Sequence, residues 1–418
     1  MPLKNPFTDI KQVKQYFPIL YGVNDTNDAY QQERYLRAFS EFKRIFGAKN
    51  AYICSSSGRV ELLGNHTDHN GGKVLSTAIS LDTLAFFLPN GTQTVDVFSE
   101  GYGKITVNLS DDNGIVEREN GTTVALLRGV AKSLEHMGFT VGGFNAYITS
   151  TVLNGAGISS SAAFEVLICE IFNFLFNDGK ITCEQKAIAA QYAENIYFGK
   201  PCGLLDQTAI SYGGLKKLDF KDKNKINVAD VDGNLDDYTL ILINTGGSHE
   251  NLTDEYAAIP AEMKSVAAAF GKERLIDLDE NEFYDEIASK NLSDRAVCRA
   301  IHFYNENKRV DTAQSALKNN DLSEFLNCVR QSGISSMCKL QNCYVAGSPD
   351  QSIPKALFIC ERFLNGGANR VHGGGFAGTI LNIVKNNYVS DFIAKTNKLF
   401  GAENVIPLKV RKIGTIVL

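Results

Sequence analysis

Residues 58–72 read Gly-Arg-Val-Glu-Leu-Leu-Gly-Asn-His-Thr-Asp-His-Asn-Gly-Gly, a run of hydrogen-bonding side chains set among turn-forming glycines. Such side chains donate and accept several hydrogen bonds each, which is the chemistry needed to grip a polyhydroxylated ligand such as a sugar. His66, Asp68 and His69 are also metal-ligand types. A zinc site would need further ligands that no cluster elsewhere in the chain offers, so a polar turn is the better reading. Two more segments are rich in glycine. In 154–163 (Asn-Gly-Ala-Gly-Ile-Ser-Ser-Ser-Ala-Ala), Gly155, Ala156 and Gly157 let the backbone approach an anion. Ser159, Ser160 and Ser161 then open a helix whose free N–H groups attract phosphate. Taken alone, the segment reads equally well as a tight turn with a serine cap, and it lacks the Gly-Lys-Ser/Thr ending of a Walker loop. In 371–379 (Val-His-Gly-Gly-Gly-Phe-Ala-Gly-Thr), Gly374 and Gly375 suit close backbone approach to a ligand, or a turn entering a strand.

Two carboxylates stand out by position. Glu194 falls near the end of a helical pattern, facing the negative end of the helix dipole at a cost of ~0.3–1 kcal/mol. That placement hints at a function; a solvated surface glutamate is the plain alternative. Asp206 opens the helical pattern 204–212, where its charge is favoured, and an N-terminal cap is its plain reading.

The elements that must position these residues follow from periodicity. Tyr35, Phe39, Phe42 and Phe46 recur at helical spacing within 32–46, and Gly47 closes the pattern. Runs at 83–88, 95–99 and 104–109, separated by Asn-Gly and Gly-x-Gly turns, predict antiparallel strands. Helical patterns at 123–137, 160–176 and 183–198 surround a strand at 144–150. The stretch 219–237, rich in Lys, Asp, Asn and Gly, precedes an apolar strand at 238–244 and predicts a domain boundary. A chain of 418 residues exceeds what one core usually supports. The expected division is an N-terminal extension 1–30, a first domain 31–220 and a second domain 221–418. In the second domain, helices at 259–270 and 321–328 and strands at 379–384 and 410–417 give a segregated α+β pattern.

Composition narrows the partners. A net charge of −5 leaves no basic field for nucleic acid or an anionic membrane, so a small-molecule ligand is expected. No uncharged apolar run approaches the ~18 residues of a membrane span. The start of the chain alternates Lys4, Asp9, Lys11 and Lys14 with apolar residues, unlike a secretory signal. Nine dispersed cysteines without a Cys-x-x-Cys predict reduced thiols and a cytoplasmic protein.

The run 58–72 resembles the signature of the galactokinases (Gly-Arg-Val-Asn-Leu-Ile-Gly-Glu-His-Thr-Asp-Tyr-Asn-Gly-Gly), members of the GHMP family of galactose, homoserine, mevalonate and phosphomevalonate kinases. Segment 154–163 resembles the family's phosphate loop (Pro-x-x-x-Gly-Leu-x-Ser-Ser-Ala) without its leading proline, and 371–379 resembles its C-terminal glycine loop. The run 194–207 is similar to the galactokinase segment that carries a magnesium-binding Glu and a catalytic Asp. The resemblance implies an α+β, two-lobed GHMP kinase fold, with an N-terminal ribosomal-protein-S5-like α/β domain and a C-terminal ferredoxin-like α+β domain. It implies a monomer that uses ATP and Mg²⁺ to phosphorylate the anomeric hydroxyl of galactose. By the same resemblance Asp206 takes the hydroxyl proton beside Arg59, and Ser160 and Glu194 hold Mg²⁺. Asn65, His66, Asp68, Gly203 and Tyr256 match sugar contacts, and the glycine and serine residues of the two loops match nucleotide contacts.

One departure is specific. Galactokinases carry Glu where this chain has Asn65, and Asn where it has Glu61. This exchange leaves open galacturonate or another galactose-like sugar as the substrate. A non-catalytic sugar sensor is a third alternative, against which the intact serine motif 159–163 speaks. His372 replaces a residue commonly Thr or Met, and no role follows for it.

Overall fold

The computed structural model describes residues 6–22, 25–111, 114–153, 157–233, 235–247 and 252–418. Its strands are β1 (Tyr52–Leu63), β2 (Lys73–Pro89), β3 (Thr94–Ser99), β4 (Gly103–Asn108), β5 (Phe144–Ser150), β6 (Leu215–Asp219), β7 (Asn227–Asp230), β8 (Tyr238–Asn244), β9 (Ala368–His372), β10 (Thr379–Lys385), β11 (Val405–Leu408) and β12 (Ile416–Val417). The first sheet has the order β12-β1-β2-β5-β3-β4, with β6 beside β2 and β7 beside β6; the second has the order β11-β8-β10-β9. The strand 144–150 appears at its expected bounds, and the runs 95–99 and 104–109 pair antiparallel as expected, but β5 lies between 83–88 and 95–99, antiparallel to β2 and parallel to β3.

β1 and β2 are longer than the sequence patterns suggest because nearly every residue in both is buried, serines and threonines included. Burial on two faces removes the alternation by which a strand is recognised. The length of β2 is what joins the sheet: its first half pairs with β6 and its second half with β5. The helix Ser160–Phe176 is apolar nearly all round and fills the space between the cluster around Val60 and Leu62 and the cluster around Phe87 and Phe144.

The expected helix 183–198 is α-helical only over Cys183–Tyr192, where Thr182 and Gln185 form a capping box, and continues as a π-helical turn over Ala193–Phe198. A second π-helical turn, Ser336–Leu340, ends the helix Leu322–Ser335. π turns of this kind occur mostly where a helix is distorted to place functional groups, and both adjoin the site described below. The helix Asp294–Lys318 escapes the sequence patterns because Arg299, His302, Glu306 and Asn307 are buried polar residues that interrupt its apolar stripe.

The predicted boundary near 220 falls within the hairpin of β6 and β7 that precedes the second sheet, and β12 returns to pair with β1 in the first. Leu240, Leu242 and Leu381 of the second sheet share a core with Val60 and Leu62 of the first. Of the expected strand 410–417, only Ile416–Val417 is extended. Val410 makes an isolated bridge to Ile79, and the buried Arg411 folds the chain over itself by donating to the carbonyls of Ile413 and Gly414.

The described part of segment 6–30 belongs to the first lobe: Phe7 bridges to Ala51, and Phe17, Leu20 and Tyr21 pack with Tyr35, Phe42 and Phe86. Beneath them Asp82 is fully buried, 2.5 Å from Arg34 Nη1 and 2.7 Å from the Tyr21 hydroxyl. Burial alone would raise its pKa, but Arg34 and Arg411 hold it below the usual carboxylate value. Arg34 Nη2 also donates to the carbonyl of Asp82 at 3.0 Å. Removing one partner of such a pair strands the other charge in the interior. Arg34→Ala is therefore expected to lower the unfolding free energy by about 3–5 kcal/mol, read from urea denaturation midpoints at unchanged slope.

Candidate active site

Arg59 lies on β1, and Asp206 lies in the first turn of the helix Leu205–Tyr212. Arg59 Nε donates to Asp206 Oδ1 at 2.8 Å, and Nη2 lies 2.7 Å from the same oxygen. Ser159 Oγ donates to the other oxygen, Oδ2, and Arg59 Nη1 donates to the carbonyl of Gly157. Ser159 adopts a left-handed conformation (φ 64°) immediately before the helix Ser160–Phe176, which turns its hydroxyl away from the helix end and toward Asp206. Residues 154–156, and with them Gly155 and Ala156, lie outside the described residues.

The polar run leaves β1 at Gly64. Asp68 begins a 3₁₀ turn, Asp68–Asn70, and sits against Gly203 so closely that a Cβ at 203 would fall 1.7 Å from Asp68 Oδ2. Only glycine at 203 permits this approach. Burial, then the nearby charges of Asp206 and Glu61, push the Asp68 pKa up to about 6. Burial lowers that of His66 to about 4, so its ring is neutral near pH 7. His66 Nε2 lies 2.9 Å from the carbonyl of Gly374, which can only accept. The proton therefore sits on Nε2, and Nδ1 is left as an acceptor.

His66 is one of several groups from the signature and the second lobe that meet the glycine loop 373–378. Asn65 Nδ2 donates to the Gly373 carbonyl at 2.9 Å, and the Tyr256 hydroxyl donates to the Gly375 carbonyl at 2.9 Å. The Tyr256 ring crosses Gly374 where a Cβ would approach it to 2.6 Å, and packs edge-on against Phe376. His372 takes a structural part: its Nε2 accepts from the Glu61 N–H at 3.3 Å. Glu61 itself is buried, with Oε1 3.1 Å from Arg370 Nη2, and burial raises its pKa.

Glu194 projects from the π turn and is 2 % exposed. The Ser161 hydroxyl donates to its Oε1 at 3.0 Å and Gln207 Nε2 to its Oε2 at 2.9 Å, with Lys200 Nζ 3.2 Å from Oε1. The serine that hydrogen-bonds Glu194 is thus Ser161, the neighbour of Ser160. A second carboxylate, Glu165, is fully buried beside them, and its pKa is raised by burial and by Glu194. Among the described residues no group of three or more His, Cys, Asp or Glu side chains is arranged to hold a metal.

Sequence reasoning missed the residues of the second lobe that hold the signature in place. Glu306 Oε1 accepts from the Gly64 N–H at 3.0 Å, His302 Nε2 lies 2.9 Å from the Asn65 carbonyl, and Asn342 Nδ2 lies 2.8 Å from Asn65 Oδ1. None sits in a motif. The available signal was the cluster Arg299, His302, Glu306 and Asn307, polar residues on successive turns of one helix.

A two-lobed fold with a polar cleft and two glycine loops defines a small-molecule kinase of the GHMP type, and comparisons with known proteins agree. Residues 125–214 match the GHMP kinases N terminal domain, and residues 40–89 match the galactokinase galactose-binding signature. The crystal structure of Lactococcus lactis galactokinase complexed with galactose superposes with a TM-score of 0.81 at 23 % identity, over 92 % of this chain and 100 % of that one. The Methanococcus jannaschii mevalonate kinase superposes at 0.61 and 17 % identity, over 86 % of this chain and 98 % of that one. Galactokinases of Clostridium perfringens and Clostridium tetani are 31 % and 30 % identical, each across 86 % of this chain and 92 % of the relative. The chain belongs to the galactokinase family.

The raised pKa of Asp68 has a stability consequence of definite sign. Between pH ~4 and ~6 the folded state holds a proton that the unfolded state has lost, so stability falls as pH rises through this window. Asp68→Asn removes the charge and keeps an acceptor oxygen. It should match the wild type below pH ~4 and exceed it by about 1–3 kcal/mol above pH ~6, discounted for partial exposure. Denaturant unfolding of both proteins at pH 4 and pH 7.5 checks this.

Proposed function

We propose that the protein transfers the γ-phosphoryl group of ATP to the anomeric hydroxyl of galactose, giving galactose 1-phosphate and ADP. The observation that carries the reading is the pairing of Asp206 with Arg59 on one oxygen and Ser159 on the other, between the polar signature and the serine loop. The relatives named above are galactokinases.

Phosphoryl transfer asks for positioning, charge neutralisation and a place for one proton. The sugar side of the cleft is formed by Asn65, His66, Asp68, Gly203 and Tyr256. The residues assigned to the nucleotide are Gly157, Ser159, Ser160, Ser161, Gly374 and Gly375, with Gly155 and Ala156 assigned from the sequence pattern alone. In the reaction the C1 oxygen bonds to the γ-phosphorus, the bond from that phosphorus to the β–γ bridging oxygen breaks, and the C1 hydroxyl proton passes to Asp206. Arg59 aligns Asp206 through its hydrogen bonds to Oδ1 and faces the transferring group. Ser159 occupies Oδ2 until a substrate hydroxyl replaces it.

The donors fit magnesium. Mg²⁺ prefers oxygen, keeps several waters and is typically held by one or two carboxylates together with substrate phosphates, so a full protein cage is unnecessary. Glu194, buried at the foot of the serine helix, and the Ser160 hydroxyl at the start of that helix would hold it. When bound it supplies positive charge that neutralises the phosphates.

The acidic surroundings favour galactose over galacturonate. Asp68, one of the proposed sugar contacts, also feels the charge of the buried Glu61. A sugar carboxylate ~4 Å from either would be repelled by about 1–4 kcal/mol. The nine cysteines are free thiols, as a reducing cytoplasm requires. Among the described residues no helix is long and apolar enough to cross a membrane.

Asp206→Asn should lower kcat by at least ~10² while galactose still binds, since the amide keeps the shape and loses the basic charge. Retention of more than a tenth of wild-type kcat would remove Asp206 from the catalytic role. Glu194→Gln and Ser160→Ala should each raise the Mg²⁺ concentration needed for half-maximal rate at fixed ATP, and Ser161→Ala should raise it less. Coupled ADP-release assays across a magnesium series provide the measurement.

A further inference from the structure

The glycine loop is held by its carbonyls. Those of Gly373, Gly374 and Gly375 accept in turn from Asn65 Nδ2, His66 Nε2 and the Tyr256 hydroxyl, and Asn342 Nδ2 adds a second bond to Gly374 at 3.1 Å. In a trans peptide the N–H of the next residue points opposite to the carbonyl, and the described residues include no cis bond. Anchoring the Gly373 and Gly374 carbonyls on the signature side therefore turns the Gly374 and Gly375 N–H groups to the other side. That side holds the serine loop, since a Cβ on Gly373 would lie 3.5 Å from the Gly157 carbonyl. Two N–H groups aimed at one face form an anion-binding surface of the kind that receives phosphate.

The Asn65 side chain both donates and accepts, which a carboxylate cannot do. Its Nδ2 donates to Gly373, while its Oδ1 accepts from Asn342 Nδ2 at 2.8 Å and from Ser336 Oγ at 3.4 Å. The side chain is 1 % exposed, and its amide is used at both ends. A glutamate or aspartate at 65 could only accept, and it would set a negative charge against the Gly373 carbonyl in a buried place.

We propose that Asn65, together with Asn342, is a positioning residue for the nucleotide: its amide fixes the glycine loop so that the Gly374 and Gly375 N–H groups face the ATP phosphates. Asn65 then borders the sugar side of the cleft while its hydrogen bonds serve the nucleotide side. This rests on the proposed kinase function for the identity of the anion. The test separates the two: ADP binding is measured by calorimetry without sugar, and KM for ATP and for galactose by steady-state kinetics.

Asn65→Asp should weaken ADP binding and raise KM for ATP by at least tenfold, a larger factor than any change in KM for galactose, whose site Asn65 also borders. Asn342→Ala should act in the same direction. The double variant should fall short of the product of the two single effects, because both side chains hold one loop. If Asn65→Asp does not fold, as judged by its thermal transition, Asn342→Ala and the milder Ser336→Ala carry the same comparison. The proposal is overturned if ADP affinity stays within twofold in the folded variants, or if KM for galactose changes more than KM for ATP. Absence of galactose phosphorylation by the wild type would sink the functional reading instead, and the ADP titrations would still decide the role of Asn65.

Discussion

Where β1 ends, the chain must bury the backbone of Gly64 and Asn65 between two lobes, and a buried N–H or carbonyl without a partner costs as much as a lost hydrogen bond. The helix Asp294–Lys318 supplies both partners, Glu306 to the N–H of Gly64 and His302 to the carbonyl of Asn65. Glu306 can do so because Arg309 and the Ser332 hydroxyl hold its carboxylate, and its pKa stays below the usual value despite burial. His302 can do so because burial keeps it neutral, with one ring nitrogen donating to Asn65 and the other beside Ser335. These bonds tie the second lobe to the signature. The next helix, Leu322–Ser335, ends in the π turn that brings Ser336 and, just beyond it, Asn342 into reach of Asn65.

From this junction the two sides of the cleft follow. β1 presents Arg59 two residues before Glu61, and side chains two apart on a strand share a face. Arg59 reaches across to Asp206, and Glu61 reaches Arg370 on β9, so one strand face joins the carboxylate of the first lobe to the sheet of the second. The neutral histidines His66, His302 and His372 all owe their low pKa first to burial. Neutrality lets each serve as a donor and an acceptor at fixed places without adding positive charge to a cleft that already holds Arg59 and Arg370.

The acidic groups divide in a similar way. Asp82 is kept ionised by Arg34 and Arg411 in the first lobe, where it anchors the N-terminal helices to the sheet. Asp68 has no such cation among the influences on it, and it is pushed upward by burial and by its acidic neighbours. Stability and readiness for a ligand are thus assigned to different carboxylates. The groups destabilised in the ligand-free fold are those that a hydrogen-bonding substrate would relieve.

By itself the sequence determined the family, because the local densities of glycine, serine and polar side chains in 58–72 and 154–163 read directly as its signature and phosphate-loop patterns. It also determined the strand 144–150 and the helix 160–176, in which apolar residues outnumber polar ones. What it could not determine was which of these residues touch. Asn65 and Gly373 are 308 positions apart, and whether an asparagine amide faces a sugar or a loop carbonyl depends on the packing of the helix between them. That helix was itself hidden, since the buried Arg299, His302 and Glu306 that make it useful also erase the amphipathic period by which helices are recognised. The tertiary structure alone decided that Ser161 meets Glu194, since the two lie on different elements 33 positions apart. Contacts made across lobes follow from three-dimensional packing, and a local pattern holds no record of them.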